Sequence, residues 1–206
     1  MQQTPRKCIY EVENMYKLCK TERSANRQRE LEEGLLTAME TARYDDISVS
    51  DLCEQMNIPR KSFYRYFDSK DGALQALVDH TLMEFEVFDQ VDKNEARTAS
   101  NALERFFVFW TQHHRLLSAL ERSGLSGLLI QRGIAQALQE GTAFQRLSPM
   151  ETDYMKEQAT TFAVCGLMSL MVRWHSEGCR HSPREMAKIT ARLITQPLFS
   201  SSDTIL

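Results

Sequence analysis

The sequence predicts an all-α protein of about nine helices, on three observations. Turn formers are sparse: 8 Gly and 5 Pro in 206 residues, too few for the many turns of an all-β chain. Apolar residues recur at helical spacing along most of the chain, and no alternating strand pattern is visible. Two cassettes, Ser148-Pro149-Met150-Glu151 and Ser182-Pro183-Arg184-Glu185, have the form of a helix start. In each, Ser caps, Pro occupies the first position where its missing N–H costs nothing, and Glu reaches back from the third.

The early elements follow in order. An N-terminal extension, 1–22, carries Ile9, Val12, Met15, Tyr16 and Cys19 after Thr4-Pro5, which suggests a short helix. Leu31, Leu35, Ala38, Met39 and Ala42 form the stripe of a helix over about Arg27–Arg43. Ser48 can cap a short helix with Asp51 at its third position, and Val49, Leu52, Cys53 and Met56 make its apolar face. Asn57 suits the left-handed turn that ends it. Pro59 starts a second short helix with Phe63 and Phe67 on one side and Arg60, Lys61, Tyr64 and Arg65 on the other. Two short helices joined by a tight turn, with a basic and aromatic outer face, describe a helix-turn-helix.

Further helices follow from Leu74, Leu77, Val78, Leu82 and Phe85, and from Leu103, Phe106, Phe107, Trp110, His114 and Leu117. Another runs through Leu125, Leu128, Leu129, Ala135 and Leu138 to Gly141. The two cassettes open the last pair, one from Pro149 to about Glu177, stopped by Gly178, and one to about Thr195.

Composition bounds the function. At 42% hydrophobic and 26% charged, the chain is neither disordered nor membrane-embedded. Its longest near-apolar run, 162–172, holds 11 residues, against about 20 for a membrane helix. No signal peptide is visible, and five Cys without a CxxC pair point to a reducing cytoplasm. With a net charge of −3, any nucleic-acid surface must be a local patch. Two patches exist. From Arg60 to Lys70 there are four cations and one Asp; from Lys17 to Arg29 there are five cations and one Glu. Duplex DNA rewards such clusters through counterion release. The interleaved Tyr residues favour DNA contact for the first; the second reads equally as a solvated helix face.

The segment resembles the N-terminal domain of the TetR family of transcriptional regulators. The residues that carry the likeness are Tyr44, Ser48-Val49, the Asn57-Ile58 turn, and Ser62-Phe63-Tyr64-Arg65-Tyr66-Phe67-Asp68-Ser69-Lys70-Asp71 with Leu74. Arg43 and Asn57 stand where Gly is usual, and Met39 where Phe is usual. The resemblance implies a helix-turn-helix DNA-binding domain over 23–70 and an effector-binding and dimerisation domain over 71–206. It implies a homodimer on a near-palindromic double-stranded operator, usually a repressor, with no enzymatic activity and no cofactor. Arg60 and Lys61 become base-edge candidates. Ser48, Ser50, Ser62, Tyr64, Arg65, Tyr66 and Lys70 complete the implied DNA face, Lys70 as a phosphate grip.

Beyond that domain, Gly166, Leu167, Leu170 and Trp174, with Met186, Ile189 and Leu193, make stripes suited to a four-helix dimer interface. Phe106, Trp110, His113, His114 and Phe162 are candidate lining for a small apolar or aromatic effector, with Phe107 and Phe144 nearby. Rival readings are a thiol-based redox regulator, an activator on the same scaffold, or a zinc site from Cys165, His175, Cys179 and His181. No HExxH, Walker, GxSxG or GxGxxG pattern appears, so no catalytic residue and no metal site is expected.

Overall fold

A computed structural model describes residues 15–91, 99–139 and 150–196. Among them are nine α-helices, one 3-10 turn and an isolated antiparallel bridge between Tyr16 and Phe67. α1 spans Glu22–Thr41. It starts earlier than the stripe suggested, because Thr21 caps it by accepting from Ser24 N–H at 3.3 Å. Its buried face holds Leu31, Leu35, Ala38 and Met39, and also Gln28 and Glu32.

α2, Val49–Gln55, is fixed by a capping box: Asp51 N–H donates to Ser48 Oγ at 3.1 Å and Ser48 N–H to the Asp51 carboxylate at 3.2 Å. The Ser48 hydroxyl, donating to the Asp51 carboxylate at 2.6 Å, and the Ser48 N–H hold that carboxyl below its ordinary pKa. Asn57 makes the turn at φ 52, while Arg43 sits at φ −71, so the side chain there meets no left-handed strain. α3, Arg60–Phe63, follows Pro59.

α4, Lys70–Val91, packs against α1 and against two later helices, α5, Ala99–Gln112, and α7, Ser126–Ala137. The single helix expected through Leu103–Leu117 is broken at His113, so α6, His114–Arg122, is separate. His113 leaves the helical conformation, with its ring stacked on Phe109 at 4.1 Å. α6 lies on α1: Arg115 binds Glu40 and, at 2.7 Å, Glu33, and Arg122 donates to Met39 O.

α8 spans Asp153–Ser176, not from Pro149. Thr152, which accepts from Met155 N–H at 3.2 Å, is the operative cap; Ser148 and Pro149 lie outside the described residues. Gly178, at φ 78, ends it as expected, and Cys179 follows at φ 51. α9, Pro183–Thr195, opens with the expected Ser182–Glu185 capping box. α9 packs on α5, and α8 on α7 and α6.

A contiguous cluster of buried apolar side chains runs from Tyr16 to Met186, and α4 packs on helices both before and after it. The helix expected in the extension is not formed where it is described: Met15–Cys19 is non-helical. Among the described residues, no helix is long and apolar enough to cross a membrane.

Candidate nucleic-acid interface

Phe63 and Phe67 anchor the helix-turn-helix, both fully buried with ring centroids 5.1 Å apart. That packing turns the other side of α3 outward. Arg60, Lys61, Arg65 and Tyr64 are exposed, Tyr64 at 42%. None of the three cations has an ion-pair partner among the described residues. Four exposed side chains, three of them cationic, therefore project from α3 and the turn that follows it, an arrangement suited to the phosphates and base edges of a groove. Ser50 is exposed on α2 and Ser62 half-buried on α3.

Three expected contacts are differently employed. Tyr66 is 8% exposed and belongs to the core, with its carbonyl accepting Lys17 N–H at 2.9 Å. Ser48 Oγ is engaged in the α2 cap. Lys70 Nζ donates to Tyr44 O and Ile47 O, each at 2.6 Å, and lies 4.2 Å from the Tyr44 ring centroid. Its ammonium staples the turn before α2 to the start of α4. Charge runs in a sequence do not reveal that an internal carbonyl pair competes for the cation.

A polar network behind the interface was not foreseen. Arg132 of α7 grips Asp79 of α4 through two nitrogens, Nε at 2.5 Å from Oδ1 and Nη2 on Oδ2. Tyr16 OH donates to Asp79 Oδ2 at 3.0 Å, and burial together with the Asp79 charge pushes the phenol pKa up. His80 bonds buried Glu32 of α1 at 2.9 Å. Tyr44 OH donates to Asp71 at 2.5 Å, and Tyr44 N–H to Ser123 Oγ at 3.1 Å. The extension, α1, α4, α6 and α7 are thereby tied by directional bonds. The only sequence signal was the type of residue, Asp79 and Arg132 falling at core-facing phases of helices.

The aromatic residues expected around an effector divide. Phe106 and Trp110 are buried in a cluster with Phe85, Phe107 and Phe109, and His113 is half-buried beside them. His114 is exposed on the first turn of α6. Phe162 is 76% exposed on the outer face of α8, away from that cluster. Trp110 Nε1 and Thr190 Oγ1 are buried without a hydrogen-bond partner among the described residues.

The expected dimer stripes also divide. Trp174 packs against Phe107 at 5.3 Å and donates to His181 O at 2.9 Å; it and Met186 are buried within the protomer. Gly166, Ile189 and Leu193 are exposed, and Leu167 and Leu170 are half-buried. Phe162 and Ile194 extend that exposed apolar strip.

Among the described residues, no group of three or more His, Cys, Asp or Glu could hold a metal ion. Cys19, Cys53, Cys165 and Cys179 are free thiols, and burial raises the pKa of Cys53 and of Cys179, against thiolate chemistry.

No protein-family model matches the sequence, and no curated protein matches it. Solved structures do. The dihydroxyacetone kinase operon activator DhaS superposes with a TM-score of 0.54 at 14% identity, over 82% of this chain and 93% of that one. The fatty acid degradation regulator FadR from Bacillus halodurans gives 0.54 at 16% identity, over 84% and 96%. The TetR family repressor AlkX from Dietzia sp. gives 0.48 at 13%, over 81% and 92%. The chain shares the all-α fold of DhaS and FadR, with its helix-turn-helix near the N-terminus and a larger set of helices after it.

Proposed function

We propose that this protein is a cytoplasmic DNA-binding transcriptional regulator, a homodimeric repressor of a near-palindromic operator that a small apolar or aromatic effector releases. The observation that carries this reading is the outward face of α3 and the turn after it, where Arg60, Lys61, Tyr64 and Arg65 are exposed and buried Phe63 and Phe67 anchor the segment. Arg60 and Lys61 read base edges, and Tyr64, Arg65, Ser50 and Ser62 hold the backbone. Lys70 and Ser48 act indirectly, by holding α2 and the start of α4 in place.

The dimer forms through the exposed strip of α8 and α9, Phe162, Gly166, Ile189, Leu193 and Ile194. An apolar strip of this kind on a protein surface marks an interaction site. Leu167 and Leu170 flank it, while Trp174 and Met186 support it from within. The effector sits against the α5 aromatic cluster, where the buried indole N–H of Trp110 offers a donor to its polar group. A buried donor left unpaired costs about 1–3 kcal/mol, which a ligand acceptor recovers.

Release follows from linkage. A ligand that favours the DNA-incompetent spacing of the two α3 helices shifts the equilibrium by its differential affinity alone. Ligand at 100 times its Kd stabilises that state by about 2.7 kcal/mol. The route is α4, which touches α5 and α7 on one side and α1 on the other. The test is electrophoretic or anisotropy titration of selected operator DNA with wild type, Arg60→Ala and Tyr64→Ala. Binding lost in the variants, with circular dichroism and melting unchanged, supports the reading; equal affinity in all three overturns it.

A further inference from the structure

The N-terminal extension is docked beside the DNA-binding unit by specific bonds. Tyr16 bridges Phe67 antiparallel, Lys17 N–H donates to Tyr66 O at 2.9 Å, and Asp68 N–H donates to Met15 O at 3.2 Å. Met15 N–H donates to Gln75 at 3.0 Å. A Cβ at Gly72 would stand 2.2 Å from Met15 O, so α4 carries glycine where the extension crosses it. Tyr16 points inward to Asp79, and in an extended chain the next side chain points out. Lys17 is exposed accordingly, and Lys20 after it.

Between this strap and the turn after α3 runs an open furrow of about 310 Å³. Its wall carries three cations, Lys17, Lys20 and Arg65, and no carboxylate. None of the three has an ion-pair partner among the described residues. Arg65 belongs to the α3 face already assigned to DNA, so the furrow continues that face.

We propose that the furrow is a phosphate-binding track for duplex DNA, through which the strap grips the backbone flanking the bases that α3 reads. It rests on the DNA-binding reading and adds a contact for Lys17 and Lys20. The two lysines contribute sequence-independent affinity, because they meet phosphates and not base edges. Tyr16 and Gly72 position them.

The experiment compares wild type, the double variant Lys17→Ala/Lys20→Ala, and Gly72→Ala on a duplex selected by the full-length protein from random DNA. Affinity is measured from about 50 to 200 mM salt. Each phosphate contact contributes about 0.9 to the slope of log K against log salt concentration. The double variant therefore lowers the slope by about 2 per bound protomer, with the preferred sequence unchanged. Gly72→Ala, which displaces the strap and keeps both lysines, loses a similar amount. Phosphate-ethylation interference shows protected positions vanish at the flanks only. A slope and ethylation pattern unchanged in the double variant, with wild type still selecting a motif, overturn this proposal and leave the α3 reading standing. Wild type that selects no duplex overturns both.

Discussion

Asp79 is the residue whose removal reports most sharply on how the units are joined. Its side chain and that of Arg132 are about 10% exposed, at 10% and 9%. It accepts two guanidinium bonds and the Tyr16 hydroxyl. Breaking a buried ion pair from one side costs about 3–5 kcal/mol, because the partner charge stays buried without its counter-charge. The stranded phenol adds about 1 kcal/mol. Asp79→Ala therefore loses about 4–6 kcal/mol of a total on the order of 10 kcal/mol. With a urea slope of about 2–3 kcal/mol/M, the unfolding midpoint falls by about 1.5–3 M. Tyr16→Phe loses only the hydroxyl bond, about 1 kcal/mol. Asp79→Leu/Arg132→Met removes both charges and recovers most of the loss, since well-packed apolar pairs replace buried ion pairs at little cost. Urea titration followed by circular dichroism measures all three. An Asp79→Ala loss below about 1 kcal/mol, or a double variant no better than the single, would show that the buried pair does not hold these helices together.

Other predictions address separate parts. Lys70→Met lowers stability by about 1.5–3 kcal/mol, the range for hydrogen bonds to a charged group, whereas Arg60→Ala changes it by less than about 0.5 kcal/mol; thermal melts separate the two kinds of cation. His113 is opposed by burial, but its bond to Glu84 and to Phe109 O raises its pKa above the ordinary imidazole value. The His113 contribution is thus present below about pH 6.5 and lost as pH rises through the raised value. Glu84, lowered chiefly by His113, loses its share as pH falls below the usual carboxylate range. Stability of wild type falls from mildly acidic to mildly alkaline pH, and His113→Gln flattens that decline in pH-dependent melts. Cys179→Gly, at φ 51, stabilises by up to about 1 kcal/mol by relieving a left-handed residue. Phe162→Glu converts a dimer to monomers in analytical ultracentrifugation at micromolar concentration, with the far-ultraviolet spectrum retained.

The helix-turn-helix was legible because its signals are local. Ser48 and Asp51 cap α2, Asn57 turns and Phe63 and Phe67 face inward, all within 20 residues of one another. The strap was not, because its bonds join Met15 and Tyr16 to residues 53–63 positions away. Its periodicity instead suggested a helix. α8 is apolar on most sides, so its pattern carried no phase, and Phe162 was assigned inward when it points out. Its start at Asp153 lies beyond the Ser148-Pro149 cassette because Thr152, a capping residue type that carries no Pro beside it, supplies the cap. Lys70 and Tyr66 sat in the right motif, but their partners, the carbonyls of Tyr44 and Ile47 and the aromatic core, exist only once the chain has folded.

The most direct test of DNA recognition by α3 is selection of random duplex DNA by the purified full-length protein at about 50 and 200 mM salt. The structure predicts recovery of a near-palindrome whose binding falls steeply with salt and is abolished by Arg60→Ala and Tyr64→Ala. Recovery of no motif at either salt, with the wild type binding no better than those two variants, would contradict it.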